Sequence, residues 1–347
     1  MDKLRVMNNN ITGKRIFLMC ERFFGYDIAL RDTLLKLGAE DVFLHDVTWL
    51  QATLRGKINK RTIPAIIRHP RARTQWTEKL KEEIGNRHFD IFLCMPITPF
   101  KKSFMKWLRQ RNPNIKTILF IWDSVDGIMS YYKDYFPLFD KIYTFDRGDS
   151  KKYGFIYQPD FYVSDVTVPY DECEYDMNFI GNLSCNKDVF NRPSVLSYID
   201  KFSKEHHLNS YLYLKYSNQR SKLNRYLGLK SKYERIVEEY SKKEFMHLEA
   251  MPLDEVETLQ QNAKVIIDLS HANRQGLTIN AITALAKGKK LITTNKHIVE
   301  EPFYSPTNIF IIDDDHPRLD AEWLITPPQP VDISGLRMDN WLRTVLE

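Results

Sequence analysis

Residues 263–295 read AKVIIDLSHANRQGLTINAITALAKGKKLITTN, and the rest of the chain can be interpreted outward from this stretch. Its apolar runs VIIDL and LIT are short and rich in β-branched residues, which predicts buried strands over 264–269 and 290–294. Between them, apolar residues recur at helical spacing and predict a helix over 277–287. The stretch is therefore predicted to be a βαβ unit of a parallel sheet. Such a unit presents a loop and a helix N-terminus at the carboxyl edge of the sheet, where open α/β sheets bind ligands.

The first half of the chain alternates strand and helix signals. Short apolar runs predict strands over 14–20, 41–46, 89–95, 117–122 and 141–145. Helical periodicity predicts helices over 26–37, 73–84 and 101–111. Because strands separated by helices indicate a parallel sheet covered on both faces, we predict a Rossmann-like domain over 1–162.

The second half repeats this alternation after a turn-rich segment with two prolines at 157–169, which indicates a domain boundary. Further strands are predicted over 175–182, 209–216, 245–248 and 308–312. Pro252 opens a predicted helix over 253–261. We therefore predict a second Rossmann-like domain over 163–316, followed by a tail over 317–347 that ends in a helix. The predicted fold class is α/β.

Composition narrows the function classes. A chain of 347 residues fits two domains of ordinary size, and its net charge of +5 is too small to argue for nucleic acid. That charge is compatible with anionic sugar nucleotides or an anionic membrane surface. The four cysteines have no C-x-x-C spacing, and no signal peptide or membrane span is evident, so we expect a cytoplasmic protein whose membrane contact is at most peripheral.

Residues 249–295 resemble the C-terminal half of glycosyltransferases with the GT-B fold, in particular the bacterial enzymes that build lipopolysaccharide and capsule. Many retaining members have an acidic residue just before a glycine and a second one eight positions later, in an EA(L/M)A-G-K motif. Here Gln275 precedes Gly276, and TALAKGK begins at Thr283, so both acids are replaced. In the family the second acid holds the donor ribose. Thr283 is expected to bond one hydroxyl, less strongly than a charged acceptor would.

A second resemblance lies in YDMNFIGN at 175–182, which is similar to the first strand of the GT-B nucleotide domain, with its F-x-G-R-L motif and a following lysine. Gly181 matches the glycine, Asn182 replaces the arginine, and Lys187 stands at the lysine position. The resemblance implies that Lys187 and a second cation neutralise the donor pyrophosphate. Gly181 would let the diphosphate approach the backbone, or would simply end the strand at a turn. Candidates for the second cation are Arg192, Lys215 and Arg274.

The loop before the predicted 277–287 helix carries groups suited to a phosphate. Arg274 is expected to neutralise the diphosphate leaving group, and the N–H groups of Gly276, Leu277 and Thr278 are expected to receive a phosphate at the helix start. His271 could hydrogen-bond sugar or phosphate, although a lone loop histidine is often incidental.

Two acids follow predicted strands of the first domain, which the resemblance makes the acceptor side. Glu21 follows the 14–20 strand and Asp123 follows the 117–122 strand. If transfer inverts the anomeric centre, either acid is a candidate general base. If transfer retains it, Asp123 would position the acceptor or stabilise positive charge. Alternatively, Asp123 only caps the following helix.

Three features are interpreted as non-catalytic. Asp313, Asp314 and Asp315 follow a predicted strand, and because neighbouring residues on a strand end point in different directions, no metal site is predicted. The basic segments 51–73 and 217–240 are predicted to be solvated, with a membrane- or acceptor-facing surface as the alternative.

The sequence thus predicts two Rossmann-like domains facing a cleft, with the C-terminal helix returning to the first domain. We expect a metal-independent glycosyltransferase of bacterial surface-polysaccharide synthesis, with a nucleotide-sugar co-substrate, no other cofactor and no nucleic-acid partner. The acceptor would be a saccharide or a lipid-linked molecule. Any contact of the protein with the anionic inner membrane would be peripheral. The alternative is a catalytically inactive GT-B homologue that binds nucleotide-sugar or a partner protein, suggested by Asn182, Gln275 and Thr283. A dehydrogenase is disfavoured because no G-x-G-x-x-G follows the first strand.

Overall fold

The computed structural model describes residues 10–47, 70–95, 100–126, 128–183, 191–217, 230–270 and 275–347. The chain divides into two compact units. The first consists of Met1–Asp160 together with Leu336–Glu347, and the second of Phe161–Gly335. Each unit contains one six-stranded sheet.

The first unit is built on a parallel sheet with the strand order β2-β1-β3-β4-β5-β6. Its strands are β1 (Arg15–Cys20), β2 (Asp41–Asp46), β3 (Ile91–Met95), β4 (Lys116–Ile121), β5 (Lys141–Thr144) and β6 (Ile156–Tyr157). Its helices are α1 (Tyr26–Lys36), α2 (Pro70–Ile84), α3 (Lys102–Arg111), a 3₁₀ helix (Ile128–Leu138) and α4 (Arg147–Tyr153).

The central strands of this sheet are apolar on both faces. All residues of β3, and all but the first of β1 and β4, are buried. Phe17 stacks on Phe92 with ring centroids 4.7 Å apart, and Phe104 meets Phe17 edge-on at 6.4 Å. Burial on both faces is typical of parallel sheets covered by helices, which confirms the predicted class.

The C-terminal helix α10 (Met338–Leu346) packs on the first unit, as predicted. Trp341 is fully buried and lies edge-on to Phe120 at 4.7 Å, while its Nε1 donates to the carbonyl of Pro159 at 2.8 Å. Lys116 Nζ, on β4, donates to the carbonyl of Leu346 at 2.9 Å. The helix is therefore attached to this unit by an aromatic contact and by hydrogen bonds at its middle and at its C-terminal end.

The second unit contains a parallel sheet with the strand order β12-β11-β10-β7-β8-β9. Its strands are β7 (Tyr175–Asn182), β8 (Ser210–Lys215), β9 (Met246–His247), β10 (Ala263–Asp268), β11 (Lys290–Thr293) and β12 (Ile309–Ile311). Its helices are α5 (Arg192–Glu205), α6 (Lys232–Tyr240), α7 (Leu253–Gln261), α8 (Ile279–Ala286) and α9 (Ala321–Ile325). Shorter 3₁₀ helices span Tyr170–Glu172, Lys296–Glu300 and Ser334–Leu336.

The predicted βαβ unit is present as β10, α8 and β11. The two strands pair in parallel from Val265 opposite Lys290 to Asp268 opposite Thr293. The helix begins two residues later than predicted because Thr278 is its N-cap, and the Thr278 hydroxyl accepts a hydrogen bond from the Ala281 N–H at 3.1 Å.

The segment 317–335 belongs to the second unit rather than to a separate tail. Lys290, on β11, extends its ammonium to the carbonyls of Trp323 and Thr326, the latter at 2.8 Å. The same nitrogen lies 3.7 Å from the centroid of the Trp323 ring. These contacts attach α9 to the sheet. Burial of the Lys290 ammonium lowers its pKa to about 8.

Several sequence predictions fall partly outside the described residues. In the basic segment 51–73, residues 51–69 lie outside them and the remainder begins α2. In the segment 217–240, residues 218–229 lie outside them, and α6 occupies most of the remainder. Cys20, Cys94 and Cys173 are buried free thiols, whereas Cys185 is not among the described residues. No helix in the described part of the chain is long and apolar enough to span a membrane.

Candidate functional site

The candidate donor site lies at the carboxyl edge of the second unit's sheet. The ends of β7 and β8 meet here in register, Asn182 opposite Lys215, and the Leu183 N–H donates to the Lys215 carbonyl at 2.7 Å. β10 ends beside them, followed by the loop that leads to α8. Sequence-predicted Gly181, Asn182 and Lys215 are thereby brought together on two adjacent strands.

Arg192, a sequence candidate for the second cation, ties two of these strand ends together. Its guanidinium donates to the Asn182 carbonyl at 2.6 Å and to the Leu269 carbonyl at 2.6 and 2.9 Å. These bonds join the end of β7 to the end of β10. Arg192 therefore has a structural use that the sequence did not reveal, although its positive charge remains at this edge.

Lys215 is a better candidate than Arg192 for binding an anion. It is half-buried at the end of β8, and among the described residues no carboxylate lies within ion-pair distance of its ammonium. A partly desolvated charge without a counter-ion attracts anions more strongly than a paired one. Its place at the end of β8 and its lack of a carboxylate partner among the described residues thus suit Lys215 to a phosphate oxygen.

The loop between β10 and α8 is held by side chains from the end of β11. Asn295 Nδ2 donates to the buried Gly276 carbonyl at 2.9 Å, and the hydroxyls of Ser270 and Thr294 lie 3.4 Å apart. Asn295 is itself buried. The sequence signal for this role was an amide residue just past a buried strand, the position where loops of a parallel sheet converge.

The remaining donor-side predictions lie around the start of α8. Gln275 and Thr278 are half-buried, whereas Gly276 and Leu277 are buried. The Thr278 cap satisfies one of the N–H groups of the first turn, and the helix dipole still favours an anion there. Thr283 lies half-buried on the second turn of α8. Lys187, His271 and Arg274 lie outside the described residues.

Gly181 has a packing reason to be glycine. A Cβ at this position would lie 2.7 Å from Cζ of Phe179, a buried ring on the same face of β7. Real Cβ atoms do not approach other atoms so closely, so the Phe179 ring occupies the space that a side chain at 181 would need.

Replacing Gly181 by alanine is therefore expected to lower the free energy of unfolding by about 1–3 kcal/mol, the usual loss from overpacking a core. Urea unfolding followed by circular dichroism measures the change. Gly335→Ala is the matched control, because a Cβ there meets nothing within 4 Å. Equal stability of the two variants would contradict the packing explanation.

The candidate acceptor site lies at the carboxyl edge of the first unit's sheet. Glu21 directly follows β1 and is half-buried, with its N–H bonded to the Met95 carbonyl at 3.2 Å. Asp123 is half-buried two residues after β4. One strand, β3, separates β1 from β4, so the two strand ends are roughly 10 Å apart. A sugar-sized molecule can span this distance.

Asp123 is not placed to cap a helix. The next helix begins at Ile128, five residues later, whereas an N-cap residue directly precedes the first turn. The loop after β4 is fixed instead by the buried Asp149, whose carboxylate accepts from the Val125 N–H at 2.7 Å. Burial raises the pKa of Asp149, and the neighbouring carboxylates of Asp146 and Asp126 add to the effect.

Asp126, on the same loop, is hydrogen-bonded to three side chains. Its carboxylate accepts from Lys152 Nζ at 2.6 Å, from the Tyr153 hydroxyl at 2.7 Å and from Lys133 Nζ at 2.9 Å. These hydrogen bonds, with that from Lys152 the strongest, hold the pKa of Asp126 well below its usual range. Asp126 is therefore ionised and committed to its own network.

The expectation that Asp313, Asp314 and Asp315 diverge is wrong. Their carboxylate oxygens lie within 4.8 Å of one another, because the residues lie in a turn after β12 rather than on the strand. Asp313 accepts from the N–H groups of Asp315 and His316, both at 2.9 Å, and lies 3.4 Å from Lys296 Nζ. The turn accounts for the convergence of the acids.

Comparison with known proteins bears on the fold. No family model matches the chain, and no curated protein matches it. A UDP-forming α,α-trehalose-phosphate synthase from Burkholderia xenovorans is similar over 97% of this chain and 91% of its own, with 12% identity and a TM-score of 0.55. The N-terminal domain of trehalose-6-phosphate phosphatase from Candida albicans is similar over 96% and 95%, with 10% identity and a TM-score of 0.54.

A third solved structure, described as trehalose-6-phosphate from E. coli bound with UDP-2-fluoro glucose, is similar over 95% of this chain and 94% of that one. It has 10% identity and a TM-score of 0.53. Identities this low establish a shared fold only. The chain therefore has the α/β fold of these proteins, two Rossmann-like domains of the GT-B type, as its sequence predicted.

Proposed function

We propose that this protein is a glycosyltransferase that moves a sugar from a nucleotide-sugar donor to a saccharide or lipid-linked acceptor. The observation that carries the proposal is the carboxyl edge of the second unit. There Lys215, without a carboxylate partner among the described residues, and the N-terminus of α8 stand at the ends of parallel strands in a GT-B fold.

Each unit has its own role in this proposal. In the second, Lys215 and the start of α8 bind the donor diphosphate and Thr283 contacts the ribose, with Lys187, His271 and Arg274 as further donor contacts. In the first, Glu21 and Asp123 bind or deprotonate the acceptor hydroxyl. We propose uridine diphosphate as the nucleotide, because two similar solved structures are UDP-forming or bound to a UDP sugar.

We further propose that transfer requires no metal ion and no other cofactor, since cationic side chains of the protein neutralise the negative charge of the diphosphate. The setting proposed is bacterial surface-polysaccharide synthesis in the cytoplasm, with peripheral contact at an anionic inner membrane. The sequence resemblance and the net charge of +5 support this setting.

The test is a thermal-shift titration with UDP, GDP, CMP and ADP, with and without magnesium. A ligand that binds only the folded state stabilises it by about 2.7 kcal/mol at 100 times Kd. We expect UDP to raise Tm without magnesium. Lys215→Ala should weaken UDP binding about tenfold or more, because a hydrogen bond to a charged group contributes about 1.5–3 kcal/mol. The exposed Lys243→Ala is the control and should leave the shift unchanged.

A second candidate function is a GT-B homologue that binds nucleotide-sugar, or a partner protein, without transfer. It is favoured by the neutral residues Gln275 and Thr283 at the family's acidic positions and by the use of Arg192 on backbone carbonyls. This second function predicts that a nucleotide raises Tm, while no mixture of a UDP-sugar and an acceptor releases UDP. Absence of a shift with all four nucleotides, in folded protein, would remove the transferase proposal.

A further inference from the structure

An aromatic cluster lies at the carboxyl edge of the first unit's sheet. It consists of the exposed Phe23 and Phe24 in the loop between β1 and α1, the half-buried Tyr26 at the start of α1 and the half-buried Trp122 just after β4, and we call these four residues the aromatic platform. Phe23 is 46% exposed and Phe24 is 52% exposed. The Phe23 ring lies 4.3 Å from that of Phe24, 6.2 Å from that of Tyr26 and 6.3 Å from that of Trp122. Phenylalanine is usually buried, so adjacent exposed rings mark a binding surface.

The backbone of this loop is strained at Phe24. Phe24 has φ 50°, in the left-handed region, and Gly25, which precedes α1, has φ 75°. A bulky side chain rarely adopts such a φ, because its Cβ crowds the neighbouring carbonyl. Strained residues of this kind cluster at ligand sites, where the surrounding structure holds them in place.

A second unfavourable feature lies next to the loop. Asp27, in the first turn of α1, is 1% exposed, and neither of its carboxylate oxygens has a hydrogen-bond donor among the described residues. Burial raises the pKa of Cys20, with the nearby Asp27 as the next cause, which places this carboxyl beside the end of β1. Native proteins rarely leave buried polar groups unsatisfied. The junction of β1 and α1 is thus not optimised for stability alone.

Two half-buried acids neighbour platform residues in the chain. Glu21 lies two residues before Phe23, and Asp123 directly follows Trp122, at the same carboxyl edge of the sheet. A pyranose ring presents C–H groups on one face, which pack on an aromatic ring, and hydroxyls at its rim, which donate to carboxylates. A hydrocarbon chain would instead desolvate both acids without offering a hydrogen bond in return. The chemistry of the surface therefore favours a saccharide over a lipid tail.

We propose that the aromatic platform is the acceptor-binding surface and that it takes a saccharide ring. The ring stacks on Phe23 and Phe24, and its hydroxyls donate to Glu21 and Asp123. This inference rests on the proposed function for the identification of the saccharide as the acceptor, while the binding itself does not require transfer.

The test is saturation-transfer NMR of the full chain with methyl glycosides of glucose, galactose, mannose and N-acetylglucosamine. We expect saturation to pass from the protein to the C–H groups of at least one glycoside. We expect the double variant Phe23→Ala/Phe24→Gly to bind that glycoside with at least tenfold weaker affinity. Leu35→Ala is the matched control, because Leu35 is 44% exposed on α1 and should not affect binding. Phe24→Gly alone should not lower Tm, since glycine adopts a φ of 50° readily.

The proposal that the platform binds a saccharide would be overturned if no glycoside received saturation from the protein. It would also be overturned if the double variant bound the glycoside as tightly as the wild type. The UDP thermal shift, measured on the same proteins, separates this failure from failure of the proposed function. Glycoside binding without any nucleotide shift would leave the platform standing and remove the transferase. A nucleotide shift and turnover with an unchanged acceptor KM in the double variant would remove the platform alone.

Discussion

Replacing Trp341 by alanine is expected to lower the free energy of unfolding of the first unit by roughly 3–5 kcal/mol, the usual loss for a buried aromatic residue. The indole is fully buried, packs edge-on against Phe120 and donates to the Pro159 carbonyl at 2.8 Å. Its removal leaves a cavity and a carbonyl without its donor. Because a domain is stable by only about 5–15 kcal/mol, the variant should unfold at much lower urea concentration.

Urea unfolding followed by far-ultraviolet circular dichroism measures this effect. Thr344→Ala, on the exposed face of the same helix, is the matched control and should change stability by no more than about 0.5 kcal/mol. If Trp341→Ala were as stable as this control, α10 would not be part of the first unit's core.

Replacing Asp123 by asparagine is expected to reduce transfer to the acceptor by about 100-fold or more, within the range for loss of an acid–base group. Asparagine keeps the size of the side chain but cannot take a proton or accept from a hydroxyl as strongly. Turnover is measured as UDP released in the presence of acceptor, once the donor has been identified by thermal shift.

Asp126→Asn provides a close control for this change. Asp126 lies three residues further along the same loop, but its carboxylate is already bonded to two ammonium groups and a hydroxyl. We expect its variant to retain transfer within a few-fold of the wild type. Asp123→Asn protein with half of the wild-type rate or more would move the acceptor role to Glu21, and Glu21→Gln would then be the variant to measure.

Element positions follow closely from local sequence. β2, β7 and α7 have the bounds that periodicity and proline placement predict. The elements not predicted from the sequence have weak local signals, with one exception. β6 has only two residues, and α4 is polar, whereas α5 carries Val195, Leu196, Ile199 and Phe202 at helical spacing, a signal present in the sequence.

The candidate site was only partly readable from the sequence. Strand ends pointed to Glu21 and Asp123, because a chain that enters a loop from a parallel strand emerges at the binding edge. The GT-B resemblance, by contrast, pointed to Gly181 and Lys215. For the proposed platform, the signal in the sequence is the pair of adjacent phenylalanines in the loop ERFFG, between a strand and a glycine.

Local sequence specified the type and order of most strands and helices, and hence the two parallel sheets, because the hydrophobic period of a segment depends only on its neighbours along the chain. Long-range packing decided that Arg192 bonds to carbonyls 10 and 77 residues away, and that Lys152 bonds to Asp126. It also decided that Phe24 is exposed and Asp27 is buried. Hydrogen-bond partners and burial depend on which distant residues meet in space, and local periodicity carries no information about that.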